Sequence, residues 1–406
     1  MFNQLDGEMQ RRGVQAIVAF GATTLADPDL TYVVGGQLAR GGIYFKRAGS
    51  SPLLLVSNLD LGSARKAGGV RRIQTFSQWG IEKLAAKYGG RDKALPRLIA
   101  NVLKKERVKR KVVLAGRNDL ASGTDLVGRL KRLGVKVIGE QSPTILEVAR
   151  ETKTQHEMDE LRHVGRKTSS VVNAVFETLR NLKRKRGHLQ LGKERATVGS
   201  VKRLISVKLA EEGVTAPEGT IFAIGPSGAD PHNSGIPSQE IKEGKLIVFD
   251  IFPQAESGYW CDLTRTFVVG RADAKSRRLY DTVFEAQSEC LGMLRQGTTG
   301  EEAMLKACEV IERRGYRTIR EIFQGKAKSI PSGFNHSLGH GVGLTIGERP
   351  YLGFLSKEPL KKRQVVTVEP GIYFPGYGGV RIEDTVAITS RGVDPLAHVE
   401  KELELA

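Results

Sequence analysis

Cysteine is scarce in this chain: Cys261, Cys290 and Cys308 are the whole complement of 406 residues. Three thiols cannot all pair, and none stands in a Cys-x-x-Cys spacing. A disulfide framework is therefore excluded, and a reducing, cytoplasmic setting is expected. No apolar run approaches the roughly 18 residues that a spanning helix needs, so no membrane span is expected. The opening MFNQLDGEMQRRGV carries an early acid and no apolar segment, and is not expected to act as a signal peptide. Aromatics are only 6% of the chain and are not interleaved with the basic runs, which argues against a stacking platform for single-stranded nucleic acid. Acids are outnumbered, with 45 Asp and Glu against 63 Lys and Arg, leaving a net charge of +18. That surplus is concentrated in two places. Arg180–Lys208 has ten basic residues and one acid, Glu194, and Lys104–Lys111 has six basic residues and Glu106. Both read as solvated basic faces on helix-like or helix-flanking surface, so no nucleic-acid partner is expected.

What is present is a 40% apolar content over a length suited to two or three domains. Residues 1–141 alternate strand-like runs (VQAIVAF, LTYVVG, GIYFK, PLLLVS, KVVLAG, GVKVIG) with helical spacing at 5–12, 79–87, 95–106 and 119–132. That alternation is an α/β signature. It contains no phosphate loop and no cluster of acids, His or Cys, so this part is expected to shape a cleft or an interface. The Gln141-Ser-Pro143 stretch and the polar run Arg150–His156 mark a boundary, giving domains 1–148 and 149–406. Beyond it, Thr154-x-x-Glu157 is a capping box for a long helix with the apolar stripe Met158, Leu161, Val164, Val172, Val175, Leu179 and Leu182. Further helices are expected at 194–212, from Asp273 to about Arg295, and from Thr299 to near Gly315. Residues 316–336 read as loop.

The chemistry concentrates in the second part. LIVFDIFPQAESGYWCDLTRTF, residues 246–267, reads as two strands joined through Ser257-Gly258, with Asp250 on one and Asp262 on the other. In the second strand Asp262, Thr264 and Thr266 share a face. Two ionised carboxylates side by side repel unless a cation lies between them. FNHSLGHGVGL places His336 and His340 among glycines. VVTVEPGIYF puts Glu369 at the end of an apolar strand, and GVRIEDTVAIT puts Glu383 inside another. Apolar strands rarely carry carboxylates without a partner. Asp250, Asp262, His340, Glu369 and Glu383 make four carboxylates and an imidazole, which two divalent cations would balance. His232 lies in the loop Pro231–Asn233. Gly339, Gly341 and Gly343 do not meet the G-x-G-x-x-G spacing of a nucleotide loop and are expected to let backbone pass close to the metals.

These motifs, in this order, resemble the pita-bread metallopeptidases of M24 type, the group containing aminopeptidase P, prolidase, methionine aminopeptidase and creatinase-like members. The resemblance covers most of residues 150–400 and, in outline, the N-terminal region of the two-domain members. It implies an α/β N-terminal domain plus an α+β pita-bread catalytic domain, and a homodimer. It also implies a dinuclear site in which Asp262 and Glu383 serve both metals, Asp250 serves one, and His340 and Glu369 serve the other. The ions expected are Mn2+, with Co2+, Zn2+ or Fe2+ as alternatives. The implied activity is hydrolysis of the bond before proline in a small peptide. Glu369 would shuttle a proton, His336 would donate to the tetrahedral intermediate, and His232 and Arg381 would face the substrate. Thr264 and Arg381 would orient carboxylates. Cys261 precedes a ligand, but alternation turns it away.

Two departures stand out. Eleven residues separate the aspartates where the family usually has ten, which lengthens the turn. A third histidine, expected seven positions after His340, is replaced by Gly347, with Glu348 and Arg349 nearby as possible substitutes. Other readings stay open at this point: a creatinase-like amidinohydrolase, a metal-dependent lyase, or a catalytically weak binding module.

Overall fold

The computed structural model describes residues 2–24, 27–36, 38 and 40–405. Two compact units divide the chain, Met1–Arg150 and Glu151–Ala406. In the first, six strands form a mixed sheet in the order Arg72–Thr75, Leu53–Val56, Gly42–Arg47, Ala16–Gly21, Val112–Ala115, Val137–Ile138. Helices Arg91–Lys105 and Leu120–Arg132 bury Leu98, Ile99, Val102, Leu126 and Leu130 in one core with Val18, Phe45 and Leu55 of the sheet.

One expected strand is a helix. LTYVVG falls in the helix Pro28–Val34, and every residue from Leu30 to Val34 is buried. A run buried on all sides has no periodicity to read. The local signals nevertheless favour helix: the Asp27 side chain accepts from the Leu30 N–H, Pro28 occupies the first turn, and Gly35 at φ 76° closes the end.

The second unit has two halves of matching design. In one, helices Gln155–Arg180 and Val198–Glu211 pack on a sheet ordered Thr220–Ile224, Ile247–Ile251, Leu263–Val269, Glu404–Leu405. In the other, helices Ala274–Met293 and Gly300–Arg313 share a core with a sheet ordered Ile346–Leu352, Gly339–Val342, Val365–Val368, Asp384–Ile388, Val393–Pro395. Thr154 and Thr299 each close a capping box, so both helix starts lie where the sequence motifs place them. Among the described residues, no helix is long and apolar enough to cross a membrane.

Three details differ from expectation. The helix expected over 194–212 starts at Val198, capped by Thr197. Ahead of it, Lys183–Lys185, His188–Leu191 and Glu194–Arg195 form a small antiparallel sheet, so the first part of the basic run is strand and turn. Its charges are partly neutralised, with Arg195 on Glu240 at 2.7 Å and Arg203 on Glu194 at 2.7 Å. The stretch 316–336 contains a short helix, Arg320–Phe323.

The glycines around His340 serve strand packing. A Cβ at Gly339 would lie 2.0 Å from the Thr367 carbonyl oxygen, and one at Gly341 would lie 2.4 Å from the Arg349 carbonyl oxygen. At Gly339 and Gly341 the close approach is to neighbouring strands, a reason for glycine that the sequence does not show. Gly339→Ala should therefore lower the denaturant midpoint of unfolding, with a cost of about 1–3 kcal/mol. Gly292→Ala is the control. That site is helical, with nothing within 4 Å of the added carbon, so the midpoint should hold or rise.

Candidate active site

Strand register builds the first half of the site. Ile247–Ile251 and Leu263–Val269 run antiparallel with Asp250 opposite Thr264, so Asp262 stands two residues along on the same face. Ile247, Phe249, Ile251, Leu263 and Phe267 fill the core on the opposite face. The connection is more than a turn: it leaves the sheet to pair Gln254–Ala255 with Val214–Thr215 before Gly258, at φ 91°, brings the chain back.

The second half comes from three more segments. Strand Gly339–Val342 carries His340, and Glu369 follows directly on Val365–Val368. Glu383 was expected inside a strand. It lies in the link between Gly378–Arg381 and Asp384–Ile388, where its N–H donates to Thr264 O at 3.0 Å. Asp262, His340 and Glu383 bring ligand atoms within 4.8 Å of one another. His340 Nε2 is 3.7 Å from Asp262 Oδ2 and 3.4 Å from Glu369 Oε1. All five residues line one cavity of about 800 Å3, together with His232, His336, Gly347 and Arg381.

Buried threonines and arginines hold the carboxylates. Thr264 donates to Glu383 Oε2 at 2.7 Å and accepts from Arg381 Nε at 3.2 Å. Arg381 Nη2 pairs with Asp250 Oδ2 at 2.7 Å. Thr385 donates to the Asp262 carbonyl, and Thr367 contacts Glu369 Oε1 at 3.2 Å while accepting the His340 N–H at 3.0 Å. From the core face, buried Arg265 donates to the backbone carbonyls of Thr264 and Glu383 and pairs with Asp384. Sequence reading anticipated Thr264 and Arg381 and missed Thr367, Thr385, Arg265 and Tyr373. The signal for the threonines was available as hydroxyls at alternate positions in otherwise apolar strands.

Tyr373 is fully enclosed and joins two groups. Its hydroxyl accepts from Arg381 Nη1 at 3.0 Å and lies 2.9 Å from His336 Nε2. His336 Nδ1 is 2.7 Å from the Ser337 carbonyl, which can only accept, so Nδ1 carries the proton and Nε2 accepts from Tyr373. Burial and the Arg381 charge push the His336 pKa down to about 4, so the ring is neutral. His232 sits on the exposed loop at the cavity wall. Glu348 and Arg349 do not substitute for the missing histidine. Glu348 is buried against Lys153, and Arg349 Nε is 2.5 Å from Glu151. Cys261 is buried in the core, and burial pushes its thiol up to about 12.

Burial and mutual repulsion raise the Asp262 and Glu383 pKa values well above the usual carboxylate range, and burial pushes Glu369 up to about 7. Asp250 Oδ1 is buried without a hydrogen-bond partner among the described residues. An orphaned carboxylate oxygen beside three crowded carboxylates and an imidazole Nε2 is the donor set of a divalent-cation site. His340 Nδ1 lies 3.1 Å from Gly341 O and 3.2 Å from the Gly347 N, two contacts that favour opposite tautomers, while Nε2 faces the cluster.

Comparison with known proteins gives the same direction. The sequence model of metallopeptidase family M24 matches residues 159–390. An Xaa-Pro dipeptidase of Pyrococcus furiosus is 36% identical over 252 residues, 62% of this chain and 64% of that protein, so the alignment spans less than two thirds of the relative. The solved prolidase from Pyrococcus furiosus superposes with a TM-score of 0.73 at 26% identity, covering 98% of this chain and 100% of that one. The X-Pro aminopeptidase from Thermotoga maritima gives a TM-score of 0.75 at 22% identity over 98% of this chain and 99% of that one, a likeness of fold. The architecture is thus an N-terminal α/β domain followed by a C-terminal pita-bread domain.

A carboxyl whose folded pKa lies above its unfolded value stabilises the fold while protonated. That contribution is complete below the unfolded value and lost above the folded one. In chelator, the melting temperature should therefore fall as pH rises from 4.5 to about 7, the window set by Glu369. Excess Mn2+ should abolish the fall, and thermal scans across that range with and without metal check it.

Proposed function

The chain belongs to metallopeptidase family M24, and from that premise we propose that it hydrolyses the peptide bond preceding proline, as an Xaa-Pro aminopeptidase or prolidase. The observation that carries this reading is the convergence of Asp250, Asp262, His340, Glu369 and Glu383 on one cavity. The family implies a divalent metal, and four carboxylates with a single imidazole suit Mn2+, with Co2+, Zn2+ or Fe2+ able to occupy the same donors. Asp262 and Glu383 would hold both ions, Asp250 one, and His340 and Glu369 the other. Bound there, such ions would lower the pKa of a water and polarise the scissile carbonyl.

The remaining work falls to the protein. Glu369 is assigned the proton that passes to the leaving amine. Arg381 lines the cavity and orients Asp250 through Nη2. Thr264 fixes one oxygen of Glu383 and leaves the other free. His232 faces the substrate from its loop. His336 was expected to donate to the tetrahedral intermediate. With its proton on Nδ1, it does so only after Nε2 releases Tyr373 and gains a second proton, so we assign it the positioning of Tyr373. A small peptide substrate, a homodimer and a cytoplasmic location complete the reading.

The test is turnover of Xaa-Pro dipeptides and longer Xaa-Pro peptides by Mn2+-loaded protein, with bound metal quantified. Cleavage before proline is expected. Asp262→Asn and Glu383→Gln should each lose metal and activity together. A protein that binds two metals and cleaves no Xaa-Pro bond overturns the assignment. His336→Ala should retain metal while kcat/KM falls by about 10-fold or more.

A further inference from the structure

Basic charge is divided unequally between the two units. Residues 1–150 hold 26 Lys and Arg against 12 Asp and Glu, so this unit carries +14 of the chain's net +18. Strand direction decides where that charge goes. Ala16–Gly21, Leu53–Val56, Arg72–Thr75, Val112–Ala115 and Val137–Ile138 all point one way, and Gly42–Arg47 runs against them. The starting ends of the five therefore lie along one edge of the sheet. Helices Arg91–Lys105 and Leu120–Arg132 each lead into one of these strands, so both finish at that edge and bring Lys104, Lys105, Lys131 and Arg132 to it. Lys109–Lys111 lead into one strand, Lys136 into a second, and Arg71 precedes a third. All of these side chains are exposed. The Lys109 and Arg110 N–H groups share the Gln15 side-chain oxygen at 2.7 and 2.5 Å, and the Val112 N–H donates to Lys136 O at 2.9 Å. The acids close by are spent: Glu8 on Arg11 and Arg12, Glu106 on Arg72, and Asp125 on Arg129. None of Lys109, Arg110, Lys111, Lys131, Arg132 and Lys136 has an ion pair among the described residues.

Cations in the last turn of a helix offset its dipole, which accounts for Lys104, Lys105, Lys131 and Arg132. It does not account for Lys109–Lys111 and Lys136, which lie outside the helices. The other basic run differs, because acids cross it: Arg184 meets Glu243, Arg195 meets Glu240 and Arg203 meets Glu194. An edge of six strands spaced about 4.8 Å apart is about 24 Å long. Over that length a nucleic-acid duplex presents roughly 14 phosphate charges. Trp79 is half-buried with Lys105 over its ring at 4.7 Å, so it offers no free face to an unpaired base. The exposed large apolar side chains described in this unit, Leu59 and Leu120, follow the far ends of their strands. The basic edge thus has nothing to insert into a bilayer, and a polybasic patch without an apolar anchor holds a membrane weakly.

We propose that this edge of the N-terminal sheet binds the phosphate backbone of double-stranded nucleic acid without regard to base sequence. The sequence alone reads these runs as separate solvated faces; the fold gathers positions 71 to 136 onto one edge. The full-length, Mn2+-loaded protein is titrated into a fluorescent DNA duplex of mixed sequence, about 30 base pairs long, and anisotropy is followed between about 50 and 200 mM NaCl. With about six phosphates contacted, affinity should fall by about 10³-fold across that range, a log–log slope near −5. A Kd weaker than about 10⁻⁴ M at the lowest salt, or a slope shallower than about −2, overturns the proposal. Lys109→Glu, Arg110→Glu, Lys111→Glu and Lys136→Glu combined should weaken duplex binding by about 100-fold or more, with melting temperature and bound metal unchanged. Retained binding in that variant overturns the assignment to this edge. Changing Lys183, Arg184, Lys185 and Arg186 together to Gln should alter duplex affinity by less than about threefold, and a loss as large as that of the first variant also overturns it. Vesicles of phosphatidylserine and phosphatidylcholine should not retain the protein at about 150 mM NaCl. Vesicle binding without duplex binding makes the edge a membrane surface and refutes the nucleic-acid reading.

Discussion

Like-charge repulsion is the constraint on which the Glu151–Ala406 unit is built. Two ionised carboxylates about 4 Å apart repel by about 4 kcal/mol at an effective dielectric near 20. Asp250, Asp262, Glu369 and Glu383 crowd together in this cavity. The protein's own compensation is one buried guanidinium, Arg381, and hydroxyl donors at Thr264 and Thr367. Hydrogen bonds to charged groups contribute about 1.5–3 kcal/mol each. Burial, added to the repulsion, exceeds what these groups return, which is why the pKa values of Asp262, Glu369 and Glu383 rise. Protons relieve the repulsion at low pH, and divalent cations have the charge to do so at neutral pH.

The framework also fixes geometry from both faces of one strand. On the cavity face, Thr264 links Glu383 to Arg381, and Arg381 links on to Asp250. On the core face, Arg265 grips the carbonyls of Thr264 and Glu383 and pairs with Asp384. Glu383 lies between strands, where its own ladder bonds are few, and these two arginines supply what the ladder does not. Threonine suits the intervening positions because its branched carbon favours strand and its hydroxyl both donates and accepts.

Much of this was legible in the residues, for particular reasons. Capping boxes at Thr154 and Thr299 and the alternation in DLTRTFVV depend on neighbours in sequence, so they could be read locally. The acidic cluster was visible because carboxylates in apolar strands are conspicuous. What escaped depends on tertiary surroundings. LTYVVG is buried on every side and shows no face. The threonine donors look like ordinary strand residues until their partners arrive from more than a hundred positions away. The glycines near His340 answer to strands that only the fold brings close. Gly347 was visible as a substitution, but the commitment of Glu348 and Arg349 elsewhere was not.

The bond from Thr264 to Glu383 spans 119 positions, and that from Arg381 to Asp250 spans 131. Each joins one half of the unit to the other, so neither half alone can present a complete cluster. Contacts of such sequence separation form late, because loop-closure entropy is spent before they return anything. A nascent or partly folded chain therefore offers no competent site to scavenge metal. A divalent ion held by the assembled cluster would favour the folded population by mass action, since only the folded chain presents it.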